Sequence, residues 1–340
     1  MDSLTQLTLG AAVGEAVLGR RVGYRAAAWG AALGTLPDLD VFLPMGDAVR
    51  DFTYHRSFSH SLFVLALLTP FVIWLILKLH PHTRAYRRQW AVLVYAVFAT
   101  HVLLDALTVY GTQVFWPFVT TPQSGSVIFI IDPVYTVPLL LGVLSALILS
   151  RDRAWGHRLN MAGLALSTLY LGWALGAKLY VTEHVTASLA RQGVGYDRLM
   201  TTPAPFNTVL WRVVLRRDGE YLEGYYSLFD GDDDVAFRRY ATRDDLLAGI
   251  DDHWPVRRLQ WFTHGFYAVA ELDGRVIITD LRMGLEPDYV FRFAVAETGN
   301  PHVEPITPFL LPGRARLTED GLEWLWHRMR GATREGPNGS

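Results

Sequence analysis

The chain has 340 residues, no cysteine and a formal net charge of −2. The missing thiols exclude a disulfide scaffold, an iron–sulfur cluster and a thiolate zinc site, and the near-neutral balance argues against a dedicated nucleic-acid binder. Only 19% of residues are charged, 51% are hydrophobic, and the mean hydropathy is +0.18. Soluble globular proteins run nearer to about 25% charged, so neither a disordered chain nor an ordinary soluble domain is expected.

Taken in chain order, the first elements are two short helices, Leu4 to Leu18 and Arg25 to Leu36, rich in Ala and Gly. Gly10 with Gly14, and Gly30 with Gly34, form two small-xxx-small pairs of the kind that let helices approach closely in lipid. The N-terminus starts with Asp2 and lacks a basic leader, so a cleaved signal peptide is not expected. Glu15 is the one acid deep in the first helix, and Arg20 or Arg21 is its expected partner.

Four longer apolar runs follow: Ser61 to Leu77, Gln89 to Leu104, Val134 to Ser150 and Leu159 to Ala177. Their flanks extend each towards the roughly 20 residues a bilayer crossing needs, so four transmembrane helices are predicted. Basic residues gather in alternate loops: Arg20, Arg21 and Arg25; Lys78, Arg84, Arg87 and Arg88; Arg151, Arg153 and Arg158. If the two short helices also cross, the positive-inside rule places these loops in the cytoplasm and both termini outside it.

Near residue 184 the character changes. The expected organisation is a membrane-embedded helical domain over 1–184, a soluble extracytoplasmic α+β domain over 185–330 and a frayed tail over 331–340. Within the second domain, strands are predicted at Thr208 to Arg216, Tyr221 to Leu228, Leu259 to Leu272, Arg275 to Leu281 and Asp288 to Ala296. Asp273–Gly274 is a hairpin signal, and helices are expected at Asp244 to Asp251 and Glu319 to Met329. The acidic run Asp230 to Asp234 reads as a solvated loop, and His264, Asp280 and Arg282 as satisfied sheet residues.

The titratable groups of the first half cluster at one end of the predicted helices. Asp38 and Asp40 sit in PDLD, His55 and His60 in HRSFSH, and His101 and Asp105 in HVLLD. His101 and Asp105 are i and i+4, so they share a helix face. Ser57 or Ser59 is the expected cap of the following helix. Mixed imidazole and carboxylate donors suit zinc, with manganese or iron as alternatives, in a site of one or two ions able to activate a water for hydrolysis. There is no HExxH, Walker A or GxSxG sequence.

The segments MDSLTQLTLGAAVGEAVLG, GTLPDLDVF, HRSFSHS and HVLLDALTVYGT resemble the YdjM family of bacterial inner-membrane proteins, over roughly residues 1 to 180. The resemblance implies a metal-dependent hydrolase, and a distant similarity to zinc-dependent phospholipase C and P1-type nuclease folds, in which an HxxxD pair such as His101–Asp105 supplies ligands. Some members carry His where this chain has Gln6, which implies a site with fewer metals here.

The leading expectation is a membrane hydrolase that cleaves a phosphoester or other ester in a lipid or lipid-linked substrate. Asp38, Asp40, His55, His60, His101 and Asp105 would bind the metal, Asp105 and His60 would be essential to turnover, and Arg56 would hold developing negative charge. Asp132 is expected to support the ligands from a second layer. Membrane lipids are the expected partners. A regulatory protein with a structural metal site, and a transporter with a midplane ion site, are the alternatives.

Overall fold

The computed structural model describes residues 1–149, 153–299, 303–313 and 319–332. Its contacts divide the chain into two compact units. The first holds Met1–Leu43, His55–Leu175 and Pro205–Asn207; the second holds Pro44–Tyr54, Gly176–Ala204 and Thr208–Ser340. The division therefore falls at Leu175/Gly176 rather than at residue 184, and a stretch of the apolar half groups with the tail.

In the first unit, α1 (Ser3–Gly14) starts at Asp2, whose side chain accepts the Thr5 N–H. A π-helical segment, Glu15–Gly19, follows, and then α2 (Tyr24–Thr35). The glycine pairs bring α1 and α2 together backbone to backbone. A Cβ on Gly10 would stand 2.2 Å from the Gly30 carbonyl oxygen, one on Gly14 2.3 Å from that of Ala26, and one on Gly30 2.1 Å from that of Gly10. No side chain other than hydrogen fits there.

A six-residue 3-10 turn, Pro37–Phe42, ends this hairpin. Next come α3 (Ala48–Tyr54), which belongs to the second unit, and a 3-10 turn at Phe58–His60. The apolar helices are α4 (Leu62–Leu79), α5 (Arg87–Ala106), α6 (Pro133–Ile148) and α7 (Arg153–Gln192). Among the described residues, three segments are long and apolar enough to cross a membrane: Leu62–Leu79, Pro81–Ala106 and Ala154–Gln192. The fourth expected span is the 16-residue α6, shorter than the others, and residues 150–152 beyond it lie outside the described residues. Both α1 and α2 pack against α5, around a core that includes Leu9, Leu33, Trp90, Val97 and Phe98.

Glu15 does not pair with Arg20 or Arg21. Its carboxylate meets Asn160 Nδ2 at 2.7 Å and His157 Nδ1 at 3.3 Å, both on α7. Asn160 Nδ2 also donates to the Ala12 carbonyl, beside the π-helical segment. A buried carboxylate among apolar helices takes the nearest donors inside the bundle, and basic residues at a helix end stay with solvent and headgroups.

The second unit carries two four-stranded antiparallel sheets. The first joins β1 (Arg198–Pro203), β2 (Leu210–Arg217), β3 (Glu220–Ser227) and β4 (Phe237–Ala241) in that order. The second is built from β5 (Tyr267–Leu272), β6 (Arg275–Asp280), β9 (Arg292–Thr298) and β10 (Val303–Leu310), in the order β10-β9-β6-β5. A small ribbon, β7 (Gly284–Leu285) with β8 (Asp288–Tyr289), interrupts the chain between them. Asp273 and Gly274 close the β5–β6 hairpin with φ of 51° and 69°, the left-handed pair such a turn needs.

The strand expected from residue 259 begins only at Tyr267. Residues before it form α8 (Trp254–Phe262), with Pro255 in its first turn and Val256, Leu259 and Phe262 buried at helical spacing. The 244–251 helix shortens to a 3-10 turn, Asp244–Leu247, while α9 (Glu319–Met329) forms as expected. From residue 333 onward the expected frayed tail lies outside the described residues. Phe52 of α3 explains why 44–54 joins this unit: its ring sits 4.5–5.1 Å from those of Phe262, Phe291 and Phe293.

Candidate metal centre

The first unit brings four ligand side chains to one point. Asp38 comes from the Pro37–Phe42 turn, His60 from the Phe58–His60 turn, and His101 and Asp105 from one face of α5. His60 Nε2 lies 3.1 Å from His101 Nε2, and 3.2 Å from both Asp38 Oδ1 and Asp105 Oδ2. His101 Nε2 is 3.7 Å from Asp38 Oδ1 and 3.4 Å from Asp105 Oδ2. Donors about 2.0–2.1 Å from a tetrahedral zinc stand about 3.3–3.4 Å from one another. Five of the six edges of this group, at 3.1–3.7 Å, lie close to those of a tetrahedron around one cation. Among the described residues it is the one such group of three or more.

The second layer fixes which nitrogen faces inward. His101 Nδ1 lies 2.7 Å from the Gly34 carbonyl, which can only accept, so Nδ1 carries the proton. His60 Nδ1 lies 3.0 Å from Ser59 Oγ, whose own proton goes to Asp40 Oδ2 at 2.5 Å. With both imidazoles neutral, the two Nε2 lone pairs face each other across 3.1 Å, a repulsion relieved by a cation between them or by a proton on His60 Nε2 shared with Asp38 or Asp105. Asp105 Oδ2 is buried with no hydrogen-bond donor, while Asp105 Oδ1 takes the Met1 amine, Gln6 Nε2 at 3.0 Å and the Arg56 guanidinium at 3.4 Å. One carboxylate oxygen is saturated and the other faces the two imidazole Nε2 atoms.

Asp40 and His55, expected among the ligands, stand one layer out and pair with each other, Oδ1 to Nδ1, at 2.6 Å. Asp40 Oδ2 also accepts the Arg56 backbone N–H at 3.0 Å. Burial opposes ionisation of Asp40, but the hydrogen bond and charge of His55, the charge of His60 and the Ser59 hydroxyl outweigh it and hold its pKa at about 2. His60 shows the opposite balance. Burial disfavours its charge, yet hydrogen bonds to Asp105 and Asp38 raise its pKa, so a proton and a metal compete for the same lone pair.

Arg56 is buried at a φ of 62°, with the Tyr110 ring 5.1 Å away and its Nε donor unpartnered. The following loop pins this segment. Gln113 N–H donates to the Arg56 carbonyl at 2.9 Å, and the Ser61 hydroxyl to the Trp116 carbonyl at 2.5 Å. Neither Ser57 nor Ser59 caps α4; that place belongs to Ser61. Asp132 caps α6 through the Val134 and Tyr135 N–H groups and accepts the Tyr170 hydroxyl, so its carboxylate is spent away from the ligands.

A family model described as the YdjM inner membrane protein matches residues 1–182, more than half of the chain. The chain belongs to the YdjM family. No curated protein and no solved structure matches it. The match covers all four converging side chains of the YdjM region. In the tail, Asp280 and Arg282 are buried and form an ion pair at 2.7 Å. Two acids of the 230–234 run are also engaged: Arg328 holds Asp230 and Arg191 holds Asp234. Gln6 and Ser59 act through other side chains, and the Gly34 carbonyl has no side-chain signal at all.

Proposed function

We propose that this YdjM protein is a membrane-embedded metal-dependent hydrolase that cleaves a phosphoester or other ester in a lipid or lipid-linked substrate. The observation that carries the reading is the pair of imidazole Nε2 atoms facing each other at 3.1 Å, closed by two carboxylate oxygens. Nitrogen and oxygen donors in a near-tetrahedral set favour zinc. One ion fits better than two, because Asp40 and His55 spend their facing atoms on each other. Four protein donors would fill a tetrahedral zinc, so water activation would need a further place beside Asp38; with a water held there, the cation would supply Lewis acidity and a nucleophile near neutral pH.

The chain's own residues divide the remaining work. Asp105 lies between the centre and Arg56, so the guanidinium offsets its charge and keeps Oδ2 aimed inward. The unspent Nε–H of Arg56 is a donor for negative charge that develops on the substrate. Asp38 is the ligand on the open side. Six crossings, with the C-terminal domain outside the cytoplasm, complete the proposal, and reporter fusions at Arg88 and at the C-terminus test that part.

Metal analysis of protein purified without chelator tests the centre. About one transition-metal ion per chain is expected, falling at least tenfold in His101→Ala. Asp38→Asn should fold and lose turnover of a vesicle-embedded phosphoester. Wild-type protein free of transition metal sinks the reading, and full turnover in Asp38→Asn sinks its catalytic part.

A further inference from the structure

The turn that delivers Asp38 and Asp40 inward is apolar on its other side. Leu36, Leu39, Val41, Phe42 and Leu43 are all exposed, Phe42 by 77%, while Pro37 and Asp40 between them are buried. Soluble surfaces rarely present such a run, and each of these side chains gains by leaving water. The turn lies outside the segments long enough to cross a membrane. It packs on the Phe58–His60 turn, which passes through Ser61 directly into α4. Phe58 is exposed there, and Phe63, Leu67 and Phe71 continue along the outward face of α4. Through that turn the apolar run is linked to a helix long and apolar enough to cross a membrane.

The same turn marks where the metal centre opens. The side chains of His60, His101 and Asp105 are 0%, 1% and 0% exposed, and Asp38 is 20% exposed. The one accessible ligand is flanked by Leu36 and Leu39.

We propose that residues 36–43 are immersed in the interfacial region of the bilayer and form a doorway through which the headgroup of a membrane lipid reaches Asp38 sideways, its acyl chains against Leu39, Val41 and Phe42. What then happens to the headgroup rests on the hydrolase reading; the immersion and the access route do not.

The chain has no cysteine, so Leu39→Cys and Phe42→Cys each give a single nitroxide site in the full-length protein, reconstituted in phosphatidylethanolamine–phosphatidylglycerol vesicles. Both are expected to relax faster with oxygen than with a water-soluble nickel chelate. Leu67→Cys should behave the same way, and Arg84→Cys should do the reverse. Preferential access to the nickel chelate overturns the proposal, and so does shielding from both reagents, the sign of a protein covering the turn. For the doorway, Val41→Ser combined with Phe42→Ser should lower the rate on a vesicle phospholipid relative to water-soluble bis(p-nitrophenyl) phosphate about tenfold or more, at unchanged metal content. An unchanged ratio overturns it. If the wild type cleaves neither compound, the phosphoester form of the hydrolase reading fails and a headgroup-photoactivatable phosphatidylethanolamine decides the doorway: adducts within 36–43 support it, and none overturns it.

Discussion

The candidate metal centre depends on a contact that contains none of its four converging side chains. A Cβ added at Gly30 would stand 2.1 Å from the Gly10 carbonyl oxygen and 3.2 Å from the Gly14 Cα. Both are backbone atoms, so no rotamer change relieves the clash. The α1 and α2 helices must part by roughly 1 Å before the contact turns favourable. Overpacking of this kind costs about 1–3 kcal/mol, against a gain of about 1 kcal/mol for replacing Gly by Ala inside a helix. Gly172, with nothing within 4 Å of its added Cβ, receives only the gain. The Gly30→Ala and Gly172→Ala variants should therefore differ by about 2 kcal/mol in stability, in opposite directions from wild type.

The displacement also reaches the site. Gly34, one turn on, holds His101 Nδ1 through its carbonyl, and Asp38 follows within four residues. Loss of such a support typically lowers metal affinity about 10–100-fold. Thermal unfolding in detergent and competitive metal titration measure the two effects. A Gly30→Ala protein with wild-type melting temperature and wild-type metal affinity refutes the claim that close helix approach builds the centre.

Other perturbations follow from single contacts. In the tail, Arg212 and Glu223 are buried partners at 2.5 Å, with Arg212 also donating to the Leu281 carbonyl at 2.7 Å and to the Tyr289 hydroxyl at 3.1 Å. Arg212→Met strands the Glu223 charge and should cost about 3–5 kcal/mol by chemical denaturation, whereas Arg212→Met with Glu223→Leu should recover much of it. Asp40, with its pKa held at about 2, contributes stability that is complete above its unfolded value near 4 and lost as pH falls through about 2. The contribution is on the order of 2 kcal/mol. Asp40→Asn should melt below wild type at pH 6, and the two curves should converge near pH 2; a constant gap at all pH values contradicts the assignment.

Much of this was legible because lipid and metal chemistry both write strong patterns. Small residues four apart at Gly10/Gly14 and Gly30/Gly34, and the His101–Asp105 spacing on one helix face, carry geometry in the sequence itself. The division of labour between Asp38 and Asp40 is not written that way. They lie two apart in a 3-10 turn, and only its path decides that Asp38 faces the centre while Asp40 faces His55 and the Arg56 backbone. The Gly34 carbonyl is invisible to any reading of side chains. Residues 259–262 mislead for another reason: Trp261 and Phe262 have strand propensity, and the tertiary burial of Val256, Leu259 and Phe262 in one helix overrides it.

Burying two carboxylates and two imidazoles in a helical bundle is costly unless each charge meets a partner. Asp105 Oδ1 meets its partners in the Met1 amine, Gln6 and Arg56, and Asp40 finds His55. Asp105 Oδ2 and the two Nε2 atoms are met only by one another and by Asp38 Oδ1, with no partner from outside the group. A purely structural polar knot would be expected to close on itself, as Arg212, Glu223 and Tyr289 do in the tail. The unmet atoms here converge on one point instead of scattering. That convergence is the physical reason to look for a cation, and Asp38, the one ligand reachable from outside, is the reason to look for a substrate beside it.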